Sequence, residues 1–177
     1  MLNEAASKIE RSQSVNVTCA ITADGQTTPA RLTMSGARFV MQSAPMAVWF
    51  DGRTQWTWSA ATNEVNITEP TPQELAVINP LSLIASLRKG YNVSVVRTTS
   101  TTKTLRLTPR TDSGDIASAE ITLKTPSLEP KEIKIVYSSG AKMVITVNSF
   151  TVGKKLPDSS FRYSATLHPD AEIIDLR

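Results

Sequence analysis

Alternation of apolar and polar residues with period two constrains this chain more than any other feature. Val15, Val17, Cys19 and Ile21 fall in one phase, and Asn16, Thr18 and Thr22 in the other. The same rhythm recurs at Phe39 and Met41, at Trp56 and Trp58, and at Val65 and Ile67. It returns from Tyr91 to Val95, from Leu105 to Leu107, from Ala119 to Leu123, from Ile133 to Tyr137 and from Met143 to Val147. Such runs are half-buried strands, with one face packed and one wet. Turn signals separate them: Asp24-Gly25, Asp51-Gly52, Asp112-Ser113-Gly114, Glu129-Pro130 and Ser139-Gly140. Strands joined so briefly are antiparallel neighbours. The count is roughly ten to eleven, with no repeat of fixed period. A sheet of that width curls and acquires a concave face.

Two segments depart from the strand pattern. In LNEAASKIE, residues Leu2, Ala5, Ala6 and Ile9 recur at helical spacing. In TPQELAVINPLSLIASLRKGY, Thr71-Pro72-Gln73-Glu74 reads as a helix start with a capping glutamate three residues on. Asn79-Pro80 restarts the signal, Leu81, Ile84 and Leu87 make an apolar face, and Gly90 ends it. Two short helices broken at Asn79-Pro80 are expected. Their apolar faces need cover, and the concave face of the sheet is where they would find it.

The 177 residues suit one domain, residues 1–177, with a core large enough to need no staples. The single cysteine, Cys19, excludes an internal disulfide and sits on the apolar phase of its strand. The formal charge of +3 comes from scattered lysines and arginines, with no basic stripe interleaved with aromatics, so nucleic-acid binding is disfavoured. No apolar run approaches the ~20 residues of a membrane span. No secretory leader opens the sequence, so the expected setting is either cytoplasmic or one reached after leader removal. Asn16, Asn66 and Asn92 each begin an Asn-x-Ser/Thr triplet, read here as polar-face residues of strands.

Catalytic constellations are hard to find. His168, the sole histidine, stands in LHPDAE in what reads as a late loop. Nucleophile elbows, phosphate-cradling loops and metal-ligand clusters are missing from the sequence, so no metal and no cofactor are expected. A carboxylate pair could still serve a hydrolase, but nothing singles one out.

All three tryptophans fall in WFDGRTQWTW, Trp49 to Trp58. Trp56 and Trp58 share a phase opposite Gln55, Thr57 and Ser59, which puts them on a buried side. Residues 47–50 are apolar in both phases, as in a strand covered on both faces.

Taken in order, five pieces resemble the periplasmic outer-membrane lipoprotein carrier family, LolA. They are the N-terminal helix, GARFVM, DGRTQWTW, NPLSLIASL and the ending FRYSATLHPDAEIIDLR. The resemblance spans nearly the whole chain. It implies a mainly β (α+β) fold: a large curved antiparallel sheet forming an incomplete β-barrel of about 11 strands, with short helices covering the concave face as a lid. It implies a periplasmic carrier without catalysis, whose apolar cavity shields the acyl chains of lipoproteins or similar lipids between the inner and outer membranes. It implies an inner-membrane ABC transporter as loader and an outer-membrane acceptor as unloader, with any signal peptide removed. The residues expected to line cavity and lid are Ile9, Phe39, Met41, Trp49, Trp56, Trp58, Leu81, Ile84, Ala85 and Leu87. Met41 departs from a frequent tryptophan of the family. Ser35, followed by Gly36, stands where the family has an arginine before a proline, and Arg38 is displaced by three positions. A release step that depends on that arginine is therefore in doubt here. A freely diffusing carrier is most simply a monomer. The rival reading is a non-catalytic envelope sensor on the same fold, binding lipidated or unfolded envelope proteins.

Overall fold

The computed structural model describes residues 2–71, 74–75, 90–111 and 116–177. The chain opens with helix α1 (Leu2–Arg11), whose apolar residues Leu2, Ala5 and Ala6 are buried. Strands β1 (Ser14–Ala23), β2 (Gln26–Ser35), β3 (Arg38–Ser43), β4 (Met46–Phe50), β5 (Gln55–Ser59) and β6 (Glu64–Thr68) follow as a meander. A second meander comprises β7 (Tyr91–Thr98), β8 (Thr102–Pro109), β9 (Ile116–Lys124), β10 (Pro130–Tyr137) and β11 (Lys142–Gly153). A short 3-10 turn (Asp158–Phe161) and strand β12 (Glu172–Asp175) close the described chain.

Among the described residues twelve strands form one sheet, in the order β12-β6-β5-β4-β3-β2-β1-β11-β10-β9-β8-β7. The sheet does not close: β12 and β7 stand at its two ends. The expected incomplete barrel is thus present, with one strand more than about 11. The addition is β12, which lies parallel to β6, with Ile173 beside Val65. Four residues are too few to register as alternation, so this strand reads as loop in the sequence.

Tight turns set the register, and φ turns positive in several of them, as at Gly25 (76°) and Asn63 (52°), residue types that tolerate it. The two meanders join through β1 and β11, which run antiparallel with a bulge between Thr18 and Cys19. The core cluster draws Leu32, Phe39 and Phe50 from the first meander and Leu107, Ile121 and Ile133 from the second, together with α1. A single sheet brings side chains from both halves into one cluster only by curling around them, and that cluster therefore marks the concave face.

At the end of β6 the expected helix start is present. The Thr71 backbone N–H and hydroxyl both donate to Glu74 Oε2, at 2.7 and 2.8 Å, and the Glu74 N–H donates back to Thr71 Oγ1 at 3.4 Å. Leu75 packs against the concave cluster. The lid residues expected beyond it, Leu81, Ile84, Ala85 and Leu87, lie outside the described residues.

Candidate functional site

Register divides the expected site residues between two faces. In an antiparallel pair, directly opposed residues point to the same side of the sheet. Phe39 opposes Phe50, and Met41 opposes Val48. Across β2, Phe39 meets Met34 and Met41 meets Leu32. All of these are buried in the concave cluster, and the Phe39 and Phe50 rings lie 5.5 Å apart. Ile9, half-buried on α1, packs against the same cluster. Phe39, Met41 and Ile9 are thus brought together on the concave side. Methionines among aromatic and aliphatic neighbours make such a surface adaptable.

The tryptophans lie on the other side. Val40 opposes Trp49, Trp49 opposes Trp56, and Ala47 opposes Trp58. Trp49, Trp56 and Trp58 therefore share the outer face, one phase away from Phe39 and Met41. Their expected place beside those residues is revised for a physical reason: the β4–β5 register pairs Phe50 with Gln55 and so turns the tryptophans away, and the C-terminal segment folds back on Trp49 and Trp58. Tyr163 meets Trp49 edge-on at 5.3 Å, and His168 stacks on Trp58 at 3.9 Å. Tyr163 Oη donates to the His168 carbonyl at 3.2 Å. Trp58 Nε1 donates to Asn63 Oδ1 at 3.2 Å, and Asn63 Nδ2 donates to the Asp170 carbonyl at 2.9 Å. His168 is thus a packing residue of an aromatic clasp.

Ion pairs extend the clasp. Asp51 accepts from the backbone N–H groups of Arg53 and Thr54 and from Arg162 Nε at 3.0 Å. Burial opposes its ionisation, but those two N–H groups and the Arg162 guanidinium outweigh burial and hold the carboxyl below the ordinary range. Arg38 pairs with Asp158 and lies over the fully buried Phe161 ring, 5.1 Å from its centroid. The shifted arginine thus serves the outer face. Ser35, at the family's arginine position, is buried, and its hydroxyl donates to the Gln13 carbonyl at 2.7 Å. It ties the end of β2 to the link between α1 and β1.

The concave face is not uniformly apolar. Gln55 opposes Phe50 and Thr57 opposes Val48, while on β6 Thr68 and Asn66 oppose Gln55 and Thr57. These four polar side chains share the face of Phe39 and Met41. Gln55 is buried, its Nε2 donates to Thr57 Oγ1 at 3.0 Å, and its Oε1 has no partner among the described residues. A buried carbonyl left so costs about 1–3 kcal/mol. Sequence reading assigns this strip to the wet side, because its phase alternates with the tryptophans.

Cys19 lies buried in the concave cluster, and burial pushes its thiol above the ordinary value. Among the described residues no three of His, Cys, Asp and Glu gather as metal ligands. A groove of about 810 Å³ runs between α1 and β11, lined by Lys8, Arg11, Gln13 and Val152 among others, on the polar side of the helix. Among the described residues no helix is long and apolar enough to cross a membrane.

Comparison with known proteins agrees with this architecture. Residues 2–139 match the family described as outer membrane lipoprotein carrier protein LolA. No curated protein matches. The fold is similar to a crystal structure of an uncharacterized conserved protein from Thermus thermophilus, with TM-score 0.64 at 13% identity, covering 98% of this chain and 96% of that one. It is similar to a putative outer membrane lipoprotein-sorting protein domain from Vibrio parahaemolyticus, with TM-score 0.50 at 8% identity, covering 91% and 94%. It is also similar to a chain in the Pseudomonas aeruginosa MucA/MucB complex, with TM-score 0.50 at 14% identity, covering 93% of this chain and 60% of that one. The aromatic clasp beyond Phe161 lies outside the family match.

Proposed function

The chain belongs to the outer membrane lipoprotein carrier protein LolA family, and from that premise we propose that it is a non-catalytic periplasmic carrier of acyl chains. The observation that carries this reading is the concave face. Phe39, Met41, Val48 and Phe50 form a continuous apolar floor, flanked by α1 and by Leu75. Shielding is needed because each exposed methylene costs about 0.8 kcal/mol in water, so one long chain costs on the order of 10 kcal/mol. The proposed cargo is a lipoprotein or similar lipid. Loading from an inner-membrane ABC transporter and delivery to an outer-membrane acceptor complete the cycle, and the carrier works as a monomer of one domain. Ile9, Phe39 and Met41 line the site, and Leu81, Ile84, Ala85 and Leu87 are the residues this reading assigns to a lid. Trp49, Trp56 and Trp58 support the floor from behind.

The test is binding of a fluorescent fatty-acid analogue. Binding well above background, weakened by Met41→Asp, Leu81→Asp or Ile84→Asp in variants that remain folded, is the expected result. Absence of binding, or indifference to all three substitutions, overturns the reading.

A second reading, an envelope interaction module, draws on β7. This strand ends the sheet, and Val93 and Val95 are 46% and 60% exposed. An exposed strand edge is a template for a partner's strand. This reading is preferred if the fatty-acid analogue fails to bind and an extended peptide from an envelope protein binds instead.

A further inference from the structure

Gln55 is placed where an acyl carrier has least reason to keep an amide. It is 7% exposed, opposes Phe50 across the β4–β5 pair, and shares the concave face with Phe39. Its own hydrogen bond to Thr57 Oγ1 uses one end of the amide, and Oε1 has no partner among the described residues. As placed, the amide gives its Nε2 to Thr57 and leaves the carbonyl as the open end. A leucine would fill the position without any such cost. Buried polar groups are ordinarily paired, and one that is not points to a partner that comes and goes.

The neighbours of Gln55 describe that partner. Thr68 opposes Gln55, and Thr57 and Asn66 form the next row of the same face. Thr57, Asn66 and Thr68 are only half-buried. The floor thus grades from phenylalanine and methionine on β3 and β4 to amide and hydroxyl on β5 and β6. An open carbonyl needs an N–H or O–H donor, and the adjacent hydroxyl and amide groups donate to a carbonyl. An amide head carries both complementary groups. An ester offers only acceptors, and so does a carboxylate, which would also oppose the Gln55 carbonyl electrostatically. On the carrier reading of the concave face, we infer that this protein selects amide-linked acyl chains, with the hydrocarbon on the Phe39–Phe50 floor and the head N–H on Gln55 Oε1. Gln55 is then a specificity residue of the site, and the polar strip on β5 and β6 is its head-group subsite.

The experiment is displacement of the bound fluorescent fatty-acid analogue by three ligands of equal chain length: an N-acyl glycine methyl ester, an acyl methyl ester and a fatty acid. One neutral hydrogen bond corresponds to a preference of about three- to ten-fold. The N-acyl amide should displace the probe from the wild-type protein at about that much lower concentration than the ester. Gln55→Leu should abolish the preference, so that amide and ester displace the probe at the same concentration. Thr57→Val, which releases the Gln55 side chain without removing its carbonyl, should retain the preference. Equal displacement by amide and ester, or a preference that survives Gln55→Leu, overturns this inference alone. Failure of the fluorescent analogue to bind wild-type protein overturns the carrier reading, and this inference with it.

Discussion

His168 lies flat on Trp58, with ring centroids 3.9 Å apart and planes 11° from parallel. The sole histidine therefore holds the C-terminal segment against the outer face of the sheet. Trp49 meets it edge-on at 6.2 Å, and Tyr163 lies beyond at the same distance. An aromatic contact of this kind contributes about 0.5–1.5 kcal/mol beyond area burial. His168→Ala should loosen residues 162–177 by about that amount while leaving the concave core intact. Hydrogen exchange checks it: amides of β12 should exchange faster, and amides of β1 and β10 should not change.

Phe39 is 1% exposed and packs on Phe50 in the concave cluster. Phe39→Ala should destabilise the protein by about 3–5 kcal/mol in urea unfolding. A deliberately adaptable recess would tolerate the loss better, so a value near the low end would favour the carrier reading.

Asp51 anchors the β4–β5 turn to Arg162. Its folded pKa lies below the ordinary value of 3.8, so its charge contributes stability that is present above about that pH. The contribution is lost as pH falls from there through the lowered value. Tryptophan fluorescence in an acid titration should report release of the clasp in that window. Asp51→Asn should remove that step and leave the clasp weakened at neutral pH.

Cys19 offers a probe of the concave face. It is 4% exposed, and burial raises its thiol pKa, so little thiolate forms at neutral pH. An aromatic disulfide reagent should label the native protein slower by orders of magnitude than the urea-unfolded chain. Bound lipid should slow native labelling further.

Much of this fold is written in the sequence. Val15, Val17 and Cys19 announce β1 by phase alone, and α1 follows from Leu2, Ala5, Ala6 and Ile9. The capping box at Thr71 and Glu74 is equally plain. Which face of a strand is concave is another matter, because alternation gives two phases and no orientation. The β4–β5 turn decides it: pairing Phe50 with Gln55 puts Trp56 opposite Trp49, and Phe50 belongs with Phe39. Without that register Trp56 and Trp58 read as wall, and Gln55 and Thr57 as solvent face. The parallel strand β12 was illegible for its shortness, and its partner β6 lies more than a hundred residues upstream.

The pairing of β1 with β11 joins residues far apart along the chain, from Ser14 with Gly153 to Ala23 with Met143. Two half-sheets therefore wait for each other while the polypeptide emerges, each with one greasy side uncovered. Contacts so distant in sequence form slowly, and unfinished strands invite aggregation. The seam between β1 and β11 is therefore the step at which the molecule's own apolar faces first become hidden.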